Sequence, residues 1–211
     1  MTTTSSKTTT PTTTSTTTST TSTTTTTITT TTTSVKFCRP NSEEFTIDQR
    51  KVCLEFVGRN NISEAASLCS SKQGKLPLPK NQKENDDYVH AFITVLAKMG
   101  DPTHAWIRYG VSKIALDLND IDSEGNFVSS TGKPVEWFNW GARGPNNSNL
   151  NEDHVEMVIF DDNFTESDLF KEFASDVFIQ QIASVDFESL SGKWNDKTGS
   201  WQVDVFCEYD Q

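Results

Sequence analysis

The segment GARGPNNSNLNEDHVEM, residues 141–157, gathers oxygen-bearing side chains at a spacing that a hard cation can use. Asn146 follows a proline, and the adjacent carboxylates Glu152 and Asp153 come after a short polar spacer. Calcium binds roughly six to eight oxygen ligands from carboxylates, amide carbonyls and the backbone. The same residue types also build solvated turns, so this segment alone indicates either a cation site or an ordinary polar loop.

The chain divides into two parts of different composition. Among the first 34 residues, all but Met1, Lys7, Pro11 and Ile28 are Thr or Ser. Such a tract buries too little apolar surface to offset its chain entropy, so we expect it to be extended and disordered. Its composition is typical of an O-glycosylated, mucin-like stalk, and a plain flexible linker is the alternative.

The remainder, residues 35–211, is long enough for one domain with a hydrophobic core. It holds all 29 acidic residues and every basic residue except Lys7, and the net charge of the whole chain is −11. Nucleic acid needs clustered Lys and Arg, and the sequence has no such cluster, so no nucleic-acid partner is predicted. The acidity fits cation binding, and it fits surface solubility equally well.

The cysteines indicate the compartment. Cys38, Cys53, Cys69 and Cys207 are even in number and form no CxxC spacing, which favours disulfides in an extracellular protein. Three pairings are open, and buried free thiols in a cytosolic protein are the alternative. The sequence contains no run of about 18 apolar residues, so no membrane span is predicted. The start MTTTSSKTTT lacks the apolar region of a signal peptide, which leaves an intracellular protein or a chain without its leader.

The first half of the domain predicts a hairpin and two helices. The hairpin contains KVCLEFVG, and the helix SEAASLCSSKQGK begins at Ser63 as N-cap and ends at Gly74. Its predicted inward residues are Ala66, Leu68 and Cys69. The second helix lies in NQKENDDYVHAFITVLAKMG, is capped by Gly100, and has apolar residues at helical spacing, which are Val89, Phe92, Ile93, Leu96 and Ala97.

The second half predicts strands separated by long loops. AWIRYGV, GKPVEWFNWG, HVEMVIF and WQVDVFCEY are rich in aromatic and β-branched residues, and the segments between them are mostly Gly, Asn, Asp, Ser and Pro. The predicted fold class is therefore α+β, with two helices, small antiparallel sheets, a long irregular loop region and disulfide bridges.

These segments together carry a family resemblance. In order, the chain shows the hairpin cysteine pair, a first helix ending in ASLC, LPL after Gly74, the second helix, WIRYG, EWFNW before GPNN, EDHVEM, GKWND and FCEY, and these features span residues 36–210. The domain thereby resembles a C-type lectin-like domain. The resemblance implies disulfides between Cys69 and Cys207 and between Cys38 and Cys53, and a calcium site in the long loop.

The resemblance also carries over ligands one by one. Asn146, Glu152, Asn195 and Asp196 match side chains that bind calcium and hydrogen-bond two neighbouring sugar hydroxyls in the sugar-binding members. Asp153 matches a ligand of an accessory calcium site. The implied cofactor is Ca²⁺, and the implied partners are glycans or glycoproteins.

Two departures weaken this site. Gly144 stands where the family has Glu or Gln before the proline, so one side-chain ligand is missing, and calcium affinity depends on ligand charge. The family's inner disulfide is also absent, because His154 and Gly199 occupy the regions of its two cysteines. We interpret His154 as a structural replacement, with a metal-binding or pH-sensitive role as the alternative.

An insertion and three sequons complete the sequence. Residues at about 161–191 exceed the family's usual short turn, and five phenylalanines, at 164, 170, 173, 178 and 187, predict a helical excursion packed on the domain. N-x-S/T sequons begin at Asn61, Asn146 and Asn163. A glycan on Asn146 would occupy a proposed calcium ligand, so we expect that sequon to be unused.

Two functions of different class follow. The first is an extracellular lectin domain that binds carbohydrate through a weakened calcium site on a mucin-like stalk. The second is a calcium-independent protein-recognition module on the same fold. An enzyme is not predicted, because the chain has no nucleophile elbow, supported triad or zinc motif, and a fold alone assigns no chemistry.

Overall fold

We describe a computed structural model of the chain, which covers residues 38–100, 104, 110–142, 144–161 and 191–210. Within these ranges the elements are β1 (Glu43–Ile47), β2 (Arg50–Asn61), α1 (Ile62–Ser71), α2 (Gln82–Leu96), β3 (Val111–Asn119), a 3₁₀ helix (Ser148–Leu150), β4 (His154–Phe160), β5 (Lys193–Lys197) and β6 (Gln202–Asp210). All the described residues belong to one compact unit, Lys36–Gln211. The α+β fold class is confirmed.

The strands form one mixed sheet, whereas small antiparallel sheets were predicted. Its order is β1-β2-β6-β3-β4-β5. Four of the strand pairs are antiparallel, and β3 runs parallel to β6 where Ile114 faces Asp204. This parallel pair joins the N-terminal hairpin to the strands β4 and β5 that carry the candidate site.

The predicted hairpin is β1 and β2, which turn at Asp48 and Gln49. Both turn residues have positive φ, 41° and 69°, as a two-residue hairpin turn requires. The Asp48 backbone N–H donates to the Asp87 carboxylate of α2 at 2.8 Å, which fixes the turn to that helix.

Helix α1 begins at Ile62 rather than after Ser63, so the predicted N-cap was wrong. Asn61 is the N-cap residue, and the Ser63 hydroxyl instead donates to the Gly199 carbonyl at 2.8 Å. The helix ends at Ser71, three residues before Gly74. Its buried residues are Ile62, Ala65 and Cys69, whereas Ala66 and Leu68 are only partly buried.

Helix α2 confirms the predicted apolar spacing except at its end. The Asn81 side chain accepts from Glu84 N at 2.9 Å, and the Glu84 carboxylate accepts from Lys80 N at 3.1 Å, so the two residues cap the helix. Phe92 and Leu96 are fully buried, with Val89 and Ile93 packed beside them. Ala97 is exposed, and the helix ends there, before Gly100.

Two strand predictions were wrong. GKPVEWFNWG forms no strand and makes only isolated bridges, from Pro134 to Val128 and from Trp140 to Trp194. Conversely, β3 and β5 form where loops were expected. HVEMVIF and the closing strand are confirmed as β4 and β6.

Both disulfides implied by the resemblance are present. Cys38 bonds Cys53 and Cys69 bonds Cys207, with S–S distances of 1.97 and 2.00 Å. The second bond joins α1 to the central strand β6 across 138 positions of sequence. The free-thiol alternative was therefore wrong.

Several predictions fall on residues outside the described ranges. These are the Thr/Ser-rich stalk at 1–34, most of the AWIRYGV strand at 105–111, the phenylalanine-rich insertion at about 161–191 and the sequon at Asn163. Within the described ranges, no helix is both long and apolar enough to cross a membrane.

Candidate functional site

The loop after Pro145 is anchored to β5 by Asp196. Its carboxylate accepts from Asn146 N at 2.9 and 2.8 Å and also from Asn147 N. The bond between Gly144 and Pro145 is cis, and the Asn146 side chain is exposed to solvent. A carboxylate has about four lone-pair positions, so these bonds leave room for a cation at Asp196.

Glu152 closes the same loop from its other end. Its Oε2 accepts from Ser148 N at 2.8 Å, while Glu152 N donates to the Asn147 side-chain oxygen at 3.1 Å. Asn147 has left-handed φ, 41°, a conformation that Asn tolerates well. Asn146, Glu152 and Asp196 are therefore held in one hydrogen-bonded loop by backbone amides.

Asn195 lies beside this loop and is unsatisfied. Its side chain is fully buried, and neither its amide nitrogen nor its amide oxygen has a hydrogen-bond partner among the described residues. A Cβ placed on Gly144 would lie 3.6 Å from the Asn195 oxygen, so the two positions are neighbours in space. An unpaired buried polar group costs free energy, so each such group in a native protein needs an explanation, and a bound ion is one.

A second group of carboxylates adjoins the loop, and sequence reasoning missed two of its members. Asp120 N donates to the Asp153 carbonyl at 3.2 Å, and the Asn147 side-chain amide donates to Glu124. Asp120 is buried, and its Oδ1 has no partner among the described residues. The alternating acids of the segment NDIDSEG were the available signal in the sequence.

The electrostatics of these acids are unfavourable without a counter-charge. Burial raises the pKa of Asp120 above its usual 3.8, and repulsion from Asp153 and Asp196 adds to the effect. Desolvation likewise raises the pKa of Glu124, with added repulsion from Asp120, Asp153 and Asp196. A bound cation would relieve this repulsion.

The predicted ligands thus fall into two adjoining groups. Asn146, Glu152 and Asp196 share one hydrogen-bonded loop with Asn195 behind it, and Asp153 lies on the side of Asp120. Oxygen is the only donor atom that these side chains offer to a metal, which suits a hard ion such as calcium. Within the described ranges, no three His, Cys, Asp or Glu side chains are grouped in a metal-binding arrangement.

His154 occupies the place where the resemblance puts the missing inner disulfide. A Cβ on Gly199 would lie 3.5 Å from His154 Nε2, so the two positions are neighbours in space. Burial lowers the pKa of His154 below 6.5, although Asp153 and Asp120 act in the opposite direction. A neutral imidazole packed against Gly199 agrees with a structural replacement.

Comparison with known proteins identifies the fold. Residues 58–209 match the family model described as Lectin C-type domain. The carbohydrate-recognition domain of mouse scavenger receptor C-type lectin superposes with a TM-score of 0.52 at 18% identity, over 82% of this chain and 97% of that one. The C-type lectin CEL-I from Cucumaria echinata gives a TM-score of 0.53 at 15% identity, over 82% and 96%.

Curated relatives agree with the family match. Pulmonary surfactant-associated protein D of Bos taurus is 28% identical over 149 residues, which cover 70% of this chain and 28% of that protein. Collectin-11 of Bos taurus is 23% identical over 164 residues, or 77% of this chain and 45% of that protein. The chain therefore spans less than half the length of either relative. Because the family model covers most of the chain and the fold agrees, this protein belongs to the C-type lectin domain family.

Proposed function

We propose that this domain binds carbohydrate through a calcium ion held by Asn146, Glu152, Asn195 and Asp196. Family members are generally carbohydrate-binding proteins without enzymatic activity, and we propose the same for this chain. One relative of the fold, the cow CD23 domain, was solved in the presence of a GlcNAc2Man3 oligosaccharide. The proposed setting is extracellular, with the Thr/Ser-rich segment as a glycosylated stalk that displays the domain.

The observation that carries the proposal is the buried, unpartnered amide of Asn195. A calcium ion bound at this position would take the amide oxygen as a ligand. The neighbouring Asp196 and Glu152 supply the negative charge that such an ion requires. Asp153 would be a ligand of an accessory ion on the side of the loop where Asp120 lies.

The binding chemistry follows from what each group can offer a sugar. A sugar hydroxyl is well hydrated, so a protein must replace its water with equally good partners. The ion binds the hydroxyl oxygen, a carboxylate accepts the hydroxyl proton, and an amide donates to the remaining lone pair. Gly144 removes one such acceptor, and we therefore propose weaker calcium and sugar binding than a complete ligand set gives.

The test is thermal unfolding of the purified domain with calcium and with chelator. A ligand that binds only the folded state raises its stability, by about 2.7 kcal/mol at a concentration about 100 times the Kd. We expect a higher Tm in calcium for the wild type and a smaller shift for Glu152→Gln. Glu44→Gln is the matched control, because Glu44 is an acid on β1 that pairs with Lys51.

The second candidate is a calcium-independent protein-recognition module. Its support is that the carboxylates of Asp196 and Glu152 already accept backbone amides, so the loop is held together without a metal. The missing acid at 144 favours it too. Equal melting temperatures in millimolar calcium and in chelator would reject the calcium proposal and leave this candidate.

A further inference from the structure

Two adjoining cavities open on a part of the domain that contains none of the proposed calcium ligands. Their volumes are about 280 and 300 Å³. Both are lined by Leu78, Lys80, Ser129 and Lys133, and we call the combined space the lysine cleft. Each cavity alone is near the lower end of the range of small-molecule sites, about 300–1,000 Å³, and the two together suit one or two sugar rings.

The two lysines at the rim touch no carboxylate of the described residues directly, although Lys80 adds a small electrostatic effect to that of Lys75 in lowering the pKa of Asp210. Lys80 and Lys133 are exposed, and their ammonium groups form no ion pair or hydrogen bond with another residue in the described ranges. Exposed lysines elsewhere behave differently, since Lys51, Lys83 and Lys98 each pair with a carboxylate. In a chain with a net charge of −11, two lysines that form no ion pair with the described residues give this cavity a local positive charge that attracts anions.

The acids on the floor of the cleft do not neutralise these lysines. Glu208 is fully buried and is already paired with Arg50 at 2.6 Å, and Tyr88 donates to it. The buried Asp117 accepts from Ser130 N at 2.9 Å. Within the lining, only Glu136 presents an exposed carboxylate, at the end occupied by Trp137.

The other wall of the cleft is apolar. Leu78, Pro134, Val135 and Trp137 line it, and the edge-to-face contact of Trp137 with Trp194 holds the indole ring in place. An aromatic ring beside cations suits a ligand with one apolar face and one anionic group. A sugar ring that carries a sulfate or carboxylate has this form, because its C–H groups make an apolar face.

We propose that the lysine cleft binds an acidic saccharide, with the anionic group at Lys80 and Lys133 and the ring against Trp137. The choice of a saccharide as ligand class rests on the proposed function, whereas the site itself needs no calcium. The sequence does not reveal the cleft, because Lys80 and Lys133 lie far apart in the chain and come together only in the fold.

The experiment measures binding of a heparin-derived sulfated tetrasaccharide and of its desulfated counterpart by calorimetry in chelator. We expect binding of the sulfated form only, weakened about tenfold by Lys80→Ala with Lys133→Ala, since hydrogen bonds to charged groups are the strong ones. The control is Lys83→Ala with Lys98→Ala, which removes the same charge outside the cleft. Glu136→Gln should strengthen binding about twofold, because it removes a repulsive charge.

Four outcomes would overturn the proposal. They are no binding of the sulfated tetrasaccharide, equal binding of the desulfated form, equal weakening by both lysine pairs, and equally tight binding of a DNA oligonucleotide of the same charge. Thermal unfolding of each variant in calcium and in chelator distinguishes effects on the calcium site from effects on the lysine cleft. If the Tm of the wild type is the same in calcium and in chelator but the tetrasaccharide still binds, the calcium site is rejected and the proposal for the lysine cleft is retained.

Discussion

Replacement of Asn195 by Leu should stabilise the domain in chelator and abolish its response to calcium. Leu has nearly the shape of Asn and needs no hydrogen bonds. Both amide atoms of Asn195 are buried and unpartnered among the described residues, so the wild type bears the full cost of desolvating them. Replacement of a buried polar residue by an apolar one seldom stabilises a protein. A higher Tm for Asn195→Leu in chelator would therefore be informative.

The magnitude follows from that cost. An unsatisfied buried polar group costs about 1–3 kcal/mol, and a domain of this size gains about 2–4 °C per kcal/mol, so the Tm in chelator should rise by about 2–12 °C. In calcium the wild type should gain stability by mass action, whereas Asn195→Leu should not, because it has lost a ligand. The two curves should therefore approach or cross as calcium is added.

The assay is a calcium titration followed by thermal unfolding, with Asn139→Leu as the control. Asn139 is also buried, but its amide donates to the Gly192 carbonyl at 2.9 Å and accepts from Lys193 Nζ at 2.7 Å. The same substitution there should lower the Tm. A lower Tm for Asn195→Leu in chelator would show that the Asn195 amide is satisfied, and a retained calcium shift would show that it is not a ligand. Either result refutes this reasoning.

Three further predictions concern other parts of the molecule. Gly144→Glu should tighten calcium binding measured by calorimetry, because it restores a carboxylate close to Asn195. A Cβ at position 144 would lie 3.2 Å from the Trp194 carbonyl oxygen. Unchanged calcium affinity would mean that this carbonyl directs the new side chain away from the site. By loop entropy, removal of the Cys69–Cys207 bond should lower the free energy of unfolding by about 5 kcal/mol, and removal of the Cys38–Cys53 bond by about 3 kcal/mol. Urea unfolding of the two variants, each with one cysteine pair replaced by Ala, measures both losses. The reverse order would contradict the entropic account. Burial, together with the Glu55 hydrogen bond, raises the pKa of Tyr209 from 10.0 to about 12. The protonated Tyr209 therefore stabilises the folded state below pH 10, and this contribution is lost between pH 10 and 12. An ultraviolet titration in which Tyr209 ionises near pH 10 in the folded protein would disprove the shift.

The sequence predicts the helices better than the strands, for a physical reason. Helix α2 has a regular apolar face, which periodicity detects. Strand β3 is buried along nearly its whole length, yet it contains Ser112, Lys113 and Asp117, so it has neither alternation nor a continuous apolar run. Its polar residues are satisfied by distant partners, as when Ser112 donates to Asp204 and Lys113 lies 4.4 Å from the Trp201 ring centre.

The error at GKPVEWFNWG has the opposite origin. Aromatic residues favour strands because they pack well on a pleated surface. Here Trp137, Phe138 and Trp140 contact Trp194 through their rings, with no continuous strand pairing. The segment is fixed by side-chain packing, which local sequence does not distinguish from pairing.

The candidate site was predicted by resemblance only where the family pattern has matching residues. Hydrogen bonds to backbone amides connect the loop that carries Asn146 and Glu152 to Asp196 on β5, and the role of these residues as ligands stays a prediction. Asp120 and Glu124 join them through contacts between segments far apart in sequence. Burial raises the pKa of Asp120 and desolvation raises that of Glu124, and repulsion from the neighbouring acids adds to both effects. The sequence displays none of these causes.

The hydrogen bonds of the loop determine what a calcium ion would have to do. Asp196 and Glu152 already bind backbone amides, so an ion would not have to order the chain, and its binding free energy would not be reduced by that cost. Asn195 and Asp120 lower the stability of this arrangement, because their buried polar atoms have no hydrogen-bond partner among the described residues. A protein-recognition domain would gain nothing from keeping these groups unsatisfied, whereas a cation site needs their oxygens free. The stability of Asn195→Leu in chelator therefore bears directly on which of the two functions this fold performs.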